Sequence, residues 1–446
     1  MKTQDLEPCT ANSRIFILAD DLTGADDTAI QFVKEGSSAL VITNITEING
    51  LDYNNYDVVS INSNSRGMRP QDAYKAIYNT ITELKPNEKG YFVYKKIDSV
   101  LRGNPGQELS AAMDVLNVPL AIVAPSYPAN RSVIENGQLF SQGSSDSGGV
   151  NAIQIFADQT GRKTENIPLE EIRQGVENTA GFIDTRKKNG TQVFVADAVT
   201  DGDLEIVYKT SEFLPAHIMA GSAGLANQLA RHQNKVNSVS FNKPSLLSPV
   251  LIIAGTRQGE TATQIHHLSR MFHVPVIKFD TRLAADNKIE EAKSRAYDDV
   301  TRYMKDNARI CVIAVESMFA SEAPAGETVS DSAARRSAAR DIAEGDIAEG
   351  NAVSVAISAG LGVLTKKLMD SFHFPVIIST GGDTSLGICQ QLGIKTMEPL
   401  TEICPGIPLG RVTGGAYDGN FIVTKSGRFG NPNSIVDIIN YLGVNV

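Results

Sequence analysis

Two adjacent carboxylates, Asp20 and Asp21, directly follow a short apolar run from Ile15 to Ala19. The run is bounded by turn residues, which is typical of a buried parallel strand. In open α/β sheets, ligands bind at the carboxyl ends of the strands. Two like charges at that edge are costly unless a cation or a proton-transfer role offsets them. Asp20 and Asp21 are therefore candidate catalytic residues, and the structural alternative is that one of them only caps the following helix.

A second polar cluster lies between a strand that ends near Lys95 and a helix that begins near Asn104. The candidate ligand-binding residues of this loop are Lys95, Lys96, Asp98, Ser99 and Arg102. Arginine can hold a carboxylate with two parallel hydrogen bonds, whereas lysine acts as a point charge. Arg66 follows another strand and is a further candidate for an anion contact. The alternative is a solvated loop whose charges pair with one another.

Glycine turns follow several strands in the second half of the chain. These turns lie after the strand that begins at Val250, at Gly381-Gly382, at Pro405–Gly410 and at Lys425–Gly430. Glycine lets a backbone approach a phosphate, and a helix N-terminus offers free N–H groups to it. The turns together favour a nucleotide, although neither GxxxxGK[ST] nor GxGxxG occurs in the chain.

These residues need strand ends and helix starts to position them, and the chain alternates strand and helix patterns throughout. The pattern predicts an α/β fold with two domains, each a mostly parallel sheet flanked by helices. The stretch from Val236 to Pro249 has no periodicity and contains two prolines, so we expect domains at 1–240 and 241–446. A Ser/Gly-rich excursion is expected at 141–149, and 321–350 is assigned no function. Asp26 and Asp27 are interpreted as first-turn helix residues without a chemical role.

Composition limits the partners and the compartment. With 446 residues and a net charge of -10, the chain is unlike proteins that bind nucleic acid or anionic membranes. It has no apolar run long enough to cross a membrane and no signal peptide at its start. The cysteines lack metal-like spacing and are interpreted as free thiols of a reducing cytoplasm, which disfavours a zinc site.

The combined motifs resemble the four-carbon acid sugar kinases, a family first defined as one of unknown function. The resemblance covers nearly the whole chain, and the motifs follow the family's order: Ala19–Ala25, Lys96–Asn104, Thr380–Thr384, Pro405–Gly410 and Lys425–Gly430. The chain differs at Val100, Asn130 and Thr256, where many members carry Thr, Gly and Ser. The resemblance implies an N-terminal domain for the sugar acid, a C-terminal domain for the nucleotide, and an active site in the interdomain cleft.

By the same resemblance, the acid site comprises Asp20 or Asp21, Arg66 and the segment from Lys96 to Ser99, with Lys95 and Arg102 nearby. The nucleotide site implied by the resemblance comprises Thr256, Gly381, Gly382, Asp383, Thr384, Gly406, Lys425, Ser426 and Gly427. The expected cofactors are ATP and Mg²⁺, with the metal ligands unassigned. A carboxylate beside the substrate's 4-hydroxyl would accept its proton, with Asp21 or Asp20 as candidate and Asp383 as rival.

The motif variants are more similar to those of D-threonate and D-erythronate kinases than to those of 3-oxo-tetronate kinases, which stay the alternative. Two other classes remain open: an NAD-dependent hydroxy-acid dehydrogenase and a sugar-acid-binding protein without catalysis. The expected partner is a small sugar acid, with no nucleic acid and no membrane. A homodimer is left open.

Overall fold

The computed structural model describes residues 13–86, 90–141, 149–233, 248–286, 288–319 and 344–444. Two compact units form. One takes in the described residues of Met1–Asn242 and Lys395–Thr413, and the other takes in those of Lys243–Ile394 and Gly414–Val446.

The strands, in chain order, are β1 (Arg14–Ala19), β2 (Ala39–Ile42), β3 (Val58–Asn62), β4 (Tyr91–Lys96), β5 (Leu120–Ala124), β6 (Val133–Glu135), β7 (Gln138–Phe140), β8 (Val150–Asn151), β9 (Thr164–Ile167), β10 (Val193–Ala196), β11 (His217–Gly221), β12 (Val250–Ala254), β13 (Val276–Phe279), β14 (Ile310–Val315), β15 (Val376–Thr380), β16 (Thr396–Cys404), β17 (Ile407–Thr413) and β18 (Phe421–Lys425).

The α-helices are α1 (Leu22–Lys34), α2 (Pro70–Leu84), α3 (Pro105–Leu116), α4 (Ala152–Thr160), α5 (Leu169–Arg173), α6 (Val176–Lys188), α7 (Asp201–Ser211), α8 (Ala223–Arg231), α9 (Gly259–Phe272), α10 (Thr281–Ala285), α11 (Ile289–Met304), α12 (Glu344–Ser371), α13 (Gly382–Leu392) and α14 (Ser434–Leu442).

In the first unit the strand order is β17-β16-β2-β3-β1-β4-β11-β5-β10-β9. All neighbouring pairs in the order β2-β3-β1-β4-β11-β5-β10-β9 are parallel, whereas β16 runs antiparallel to both β2 and β17. Strands β6, β7 and β8 form a small separate antiparallel sheet. Residues 15–19 of β1 are buried and apolar, as a strand covered by helices on both faces requires. Helices such as α1, α2, α3 and α8 flank this sheet.

In the second unit the strand order is β13-β14-β12-β15-β18, and all of its pairs are parallel. Helices α11, α12 and α13 pack together, as do α9 and α14. The predicted α/β class, with mostly parallel sheets and flanking helices in each part, is therefore confirmed.

The compact units differ from the expected domain boundaries in one respect. Residues 395–413, which we assigned to the C-terminal domain, group with the first unit because β16 pairs with β2 and packs against α1. The expected linker falls largely on residues 234–247 and the Ser/Gly-rich excursion on 142–148, both outside the described residues. So does most of 321–350, although α12 begins within it at Glu344.

Candidate active site

Arg66 is the centre of the acid-site residues, because its guanidinium contacts three carboxylates. Its Nε and Nη2 donate to the two oxygens of Asp20 at 2.7 and 2.9 Å, and its Nη1 donates to Asp21 Oδ2 at 2.8 Å. Nη2 also lies 3.6 Å from Asp98 Oδ1. Strands β1, β3 and β4 bring these residues together, since Ala19 is in register with both Asn62 and Lys96. The carboxyl ends of these strands thus meet at one edge, as the sequence predicted.

Arg102 holds Asp98 from the other side. Its Nε and Nη2 donate to the two carboxylate oxygens at 2.7 and 2.8 Å, and its backbone N–H donates at 3.1 Å. Burial alone would raise the pKa of Asp98, but the guanidinium groups of Arg66 and Arg102 outweigh it and hold that pKa well below its usual range. Asp98 therefore stays ionised at neutral pH.

Asp21 has a structural role in addition to its place in the cluster. It is the N-cap of α1, where Oδ1 accepts from the Gly24 N–H at 2.9 Å and Oδ2 accepts from the Thr23 hydroxyl at 2.8 Å. Burial alone would raise its pKa, but Arg66 and Lys96 lower it. With its oxygens occupied and its pKa lowered, Asp21 is a weak proton acceptor. The capping alternative thus applies to Asp21, while Asp20 pairs with Arg66.

Lys95 is buried in the protein and does not lie at the surface where a ligand could bind. Its ammonium is fully buried, lies 2.7 Å from Glu108 Oε2 of α3, and donates to the Leu18 carbonyl at 2.9 Å. Ser65 donates to the other oxygen of Glu108 at 2.7 Å. Glu108 and the carbonyls of Leu18 and Lys96 occupy the ammonium, so Lys95 has no donor left for a ligand in this conformation. Its charge instead links β4 to β1 and α3.

Lys96 points to the other side of β4 and reaches the first turn of α1. Its Nζ donates to the Ile97 carbonyl at 3.0 Å, and within the described chain no salt bridge joins it to a carboxylate. A Cβ added at Gly24 would lie 3.0 Å from this Nζ and 2.6 Å from Asp21 Oδ1. Glycine at that position therefore lets the ammonium approach the helix.

The loop after Lys96 is built on unusual backbone conformations. Leu101 and Gly103 adopt φ values of 59 and 81°, and a Cβ added at Gly103 would lie 2.9 Å from the Arg66 carbonyl oxygen. Ile97 is buried and Ser99 is half-buried. Asn104 donates to the carbonyls of Ser65 and Met68. The Asn104 side chain therefore links the two loops and does not cap α3.

Asp27 is the residue that sequence reasoning missed. It lies on α1 and is 3% exposed. Its Oδ1 has no hydrogen-bond partner among the described residues. Burial raises its pKa to about 7; Lys96 opposes this, and the carboxylates of Glu402, Asp26 and Asp21 add to it. The available signal was a second acidic pair, Asp26 and Asp27, which we placed in the first turn of the helix. That prediction is wrong, because α1 begins at Leu22 and its first turn contains no acidic residue.

The predicted nucleotide residues gather at the carboxyl ends of β12, β15 and β18 in the second unit. Gly381 adopts a φ of 98° before α13, and its N–H donates to the Lys425 carbonyl at 2.8 Å. A Cβ added at Gly381 would lie 3.4 Å from Thr256 Cβ, and one added at Gly427 would lie 2.4 Å from Thr256 Oγ1. The three turns therefore touch one another.

The start of α13 lies beside these turns, and together they form what we call the glycine cradle. No side chain caps the N-terminus of α13, and its first turn includes Gly382, exposed Asp383 and buried Thr384. Thr380 Oγ1 is buried without a hydrogen-bond partner among the described residues. Gly255, which sequence reasoning did not select, belongs here too: a Cβ on it would lie 2.1 Å from Thr384 Oγ1. A helix N-terminus and glycines in close contact fit a phosphate group.

Lys425 is the cation of this cradle. Its buried Nζ donates to Thr261 Oγ1 at 3.1 Å and to the carbonyl of half-buried Ser426 at 3.0 Å. Burial lowers its pKa to about 7, against the opposing charge of Glu260. A nearby anion would favour the charged form of this lysine.

Gly406 is the one predicted nucleotide residue that does not belong to the second unit. It lies in the turn between β16 and β17, and its N–H donates to Glu402 Oε1 at 2.9 Å. Glu402 also accepts from Gln31 of α1 at 3.2 Å and pairs with Lys34. The structure therefore brings Gly406 to α1 of the first unit.

Metal and membrane features are few in the part of the chain that is described. No group of three or more His, Cys, Asp or Glu side chains there could hold a metal ion. None of the described helices combines the length and apolar character that crossing a bilayer requires. Cys311, Cys389 and Cys404 are free thiols.

Two family models match consecutive parts of the chain. Residues 15–229 match the family described as "Sugar-binding N-terminal domain", and residues 251–435 match "Nucleotide-binding C-terminal domain".

Relatives over nearly the full length are named as kinases. The D-threonate kinase of Salmonella typhimurium is 25% identical over 96% of this chain and 98% of its own. The D-erythronate kinase of Heliobacterium modesticaldum is 26% identical over 96% and 97%. The 3-oxo-tetronate kinase of Pseudomonas savastanoi pv. phaseolicola is 25% identical over 93% and 94%.

Solved structures show the same fold. A chain from Salmonella typhimurium LT2 aligns with a TM-score of 0.72 at 22% identity, over 95% of this chain and 98% of its own. A Haemophilus influenzae protein aligns with a TM-score of 0.64 at 22% identity, over 96% and 100%. A sugar-binding domain followed by a nucleotide-binding domain defines a two-domain sugar kinase. The chain belongs to the four-carbon acid sugar kinase family, as the sequence motifs predicted.

Proposed function

We propose that this protein is an ATP-dependent kinase that phosphorylates the 4-hydroxyl of a four-carbon sugar acid, with D-threonate or D-erythronate as the substrate. The proposed product of D-threonate is 4-phospho-D-threonate. A 3-oxo-tetronate 4-kinase is the alternative within the family, since relatives with all three names are about equally similar to this chain.

The proposal depends on the mixed-charge cluster around Arg66. This cluster consists of Asp20, Asp21, Arg66, Lys96, Asp98 and Arg102. The carboxylates of Asp20 and Asp98 can accept from substrate hydroxyls, while Lys96 and the remaining N–H groups of Arg66 can donate to a carboxylate. A small polyhydroxy acid presents both kinds of group. Inorganic phosphate alone has few hydrogen-bond donors to offer these carboxylates, whereas each hydroxyl of a polyhydroxy acid is a donor.

The glycine cradle of the second unit supports ATP as the phosphate donor. The N-terminus of α13 and the glycines beside Thr256 would hold the phosphates, with Mg²⁺ bound to the phosphate oxygens. Phosphoryl transfer is chiefly positioning and charge stabilisation. The proposal requires the bound acid and the bound nucleotide to meet in one cleft, as the family resemblance implies.

A coupled assay of ADP release tests the proposal. The purified chain with ATP and Mg²⁺ is assayed against D-threonate, L-threonate, D-erythronate and 3-oxo-tetronates. We expect the highest kcat/KM with D-threonate or D-erythronate. A preference for a 3-oxo-tetronate would select the alternative, and no ADP release with any of these acids would refute the kinase assignment.

A thermal-shift screen separates the remaining classes, because a ligand that binds the folded state raises Tm. Stabilisation by ADP with Mg²⁺ and by the acid supports the kinase. Stabilisation by NAD instead would favour a dehydrogenase. Stabilisation by the acid alone would favour a binding protein without catalysis.

A further inference from the structure

The cluster around Arg66 holds several carboxylates, and they differ in how far their oxygens are occupied. Asp20 and Asp98 each accept two hydrogen bonds from a guanidinium. Asp21 accepts from Arg66 and also caps α1. A proton on a carboxylate oxygen held in this way would displace a charge-assisted hydrogen bond.

Asp27 differs from these carboxylates in its surroundings. It lies one turn beyond Gly24 on α1, and Gly24 is where the Lys96 ammonium reaches the helix. Its carboxyl is buried, and its Oδ1 has no hydrogen-bond partner among the described residues. Among the described residues, Asp27 Oδ1 is therefore an acceptor without a donor. It lies one turn along α1 from the point that the Lys96 ammonium reaches.

Charged groups on each packed element act on Asp27. The Lys96 ammonium at the end of β4 favours its ionised form, whereas Glu402 of β16 and the α1 carboxylates Asp21 and Asp26 oppose it. Tyr127 lies close enough for Asp27 to raise the pKa of its phenol, together with burial. Burial is the largest cause of the raised pKa of Asp27, about 7. A general base works best with a pKa near the operating pH.

We propose that Asp27 is the catalytic base that accepts the proton of the substrate's 4-hydroxyl, an inference that rests on the kinase function proposed above. The O–H bond of the hydroxyl breaks and its proton passes to Asp27 Oδ1. The hydroxyl oxygen bonds to the γ-phosphorus of the nucleoside triphosphate as the bond from that phosphorus to the β–γ bridging oxygen breaks, which releases the nucleoside diphosphate. Asp27 then returns the proton to solvent. The Lys96 ammonium orients the acid and keeps Asp27 ionised.

The test compares the full-length protein with Asp27→Asn, Asp27→Glu and the control Glu35→Gln, which removes a carboxylate just after the end of the same helix. The kcat and KM for the preferred acid are measured with MgATP from pH 5 to 9. In the unmodified protein we expect kcat to fall below about pH 7. Asp27→Asn should lower kcat at pH 8 by about 10²–10⁴-fold, the usual contribution of a general base, and abolish this acid limb. Asp27→Glu should restore part of kcat, and Glu35→Gln should match the unmodified protein.

Two further readouts separate catalysis from folding and from the proposed function. Asp27→Asn should keep the thermal shifts given by the acid and by ADP with Mg²⁺. It should also raise Tm more at pH 8 than at pH 5, since it removes a carboxyl that must be buried ionised at the higher pH. Unchanged kcat and an intact acid limb in Asp27→Asn would overturn the base assignment alone. Loss of the acid's thermal shift together with kcat would overturn it in favour of substrate binding. No kinase activity in the unmodified protein would overturn both proposals.

Discussion

Arg66 forms bidentate contacts in a crowded cluster, and this limits what it can do for a ligand. Three of its five N–H donors point at Asp20 and Asp21. Its side chain is 22% exposed, so only its remaining donors face outward. Its first role is thus to hold two carboxylates at the end of β1, and its contact with a bound acid depends on that arrangement. Lysine cannot reproduce this, because it presents a single point charge.

Arg66→Lys tests this role. The substitution keeps the positive charge but removes the planar set of guanidinium N–H donors. We therefore expect kcat/KM for the acid to fall by about 10- to 150-fold, the equivalent of one charged hydrogen bond of roughly 1.5–3 kcal/mol. Arg69→Lys in the same loop is the control, since Arg69 is 83% exposed and pairs only with Asp72 among the described residues. Steady-state kinetics measures both variants. Equal kcat/KM values for the two would contradict a role for the guanidinium fork.

At the scale of elements, the strand β4 places two consecutive lysines on opposite faces of the sheet, and this alternation gives them different roles. Lys96 reaches the ligand side of α1, whereas Lys95 is buried against Glu108 of α3. A buried ion pair adds little net stability compared with apolar residues. Removing one partner, however, leaves the other charge buried without a counter-charge.

Lys95→Met should therefore lower the free energy of unfolding by about 3–5 kcal/mol. The double variant Lys95→Met with Glu108→Leu should recover most of this loss, since neither charge then remains buried. Urea denaturation followed by circular dichroism measures both. A single variant as stable as the unmodified protein would show that Lys95 is not committed to this pair.

The end of β18 carries a second buried lysine, and its protonation should respond to a nucleotide. The pKa of Lys425, lowered to about 7, lies below its unfolded value, so between these two pH values the folded protein binds fewer protons than the unfolded chain. A phosphate on the glycine cradle would raise this pKa. Binding near pH 8 would then take up a proton, and affinity for ADP would fall as the pH rises above about 7.

Calorimetry of ADP binding in two buffers with different ionisation enthalpies measures this proton uptake. Lys425→Met should remove it, whereas Lys366→Met, on the exposed side of α12, should leave it unchanged. The same proton uptake in Lys425→Met would assign the linkage to another group.

At the scale of the molecule, the first unit is completed by a hairpin from much later in the chain. Strand β16 pairs with the edge of β2, and Glu402 on it contacts Gln31 and Lys34 of α1. Along the chain, the hairpin follows α13 and precedes β18. Without it, β2 would present an unpaired edge, and such edges promote aggregation.

The fragment 1–240 should therefore be aggregation-prone and lack a cooperative unfolding transition. The same fragment with residues 395–413 attached through a flexible linker should be monodisperse. Size-exclusion chromatography and thermal denaturation compare the two. A monodisperse fragment 1–240 that unfolds cooperatively would show that the hairpin is dispensable for this unit.

The sequence by itself determined the α/β class, the strand-end location of Asp20, Arg66 and Asp98, and the glycine turns beside Thr256. These are local properties: an apolar run specifies a buried strand, and polar or glycine residues at its end must lie at the sheet edge. The family motifs added the order of the two domains. No long-range contact was needed for any of these inferences.

Only the tertiary structure decided which charges face a ligand and which are buried in pairs. Lys95 and Lys96 have the same type and neighbouring positions, yet one is neutralised by Glu108 and the other is not. Asp27 acquires its raised pKa from burial and from Glu402, a residue 375 positions later that arrives with the hairpin. Desolvation and pairing depend on what packs around a group in space, and the spacing of residues along a chain carries no record of that.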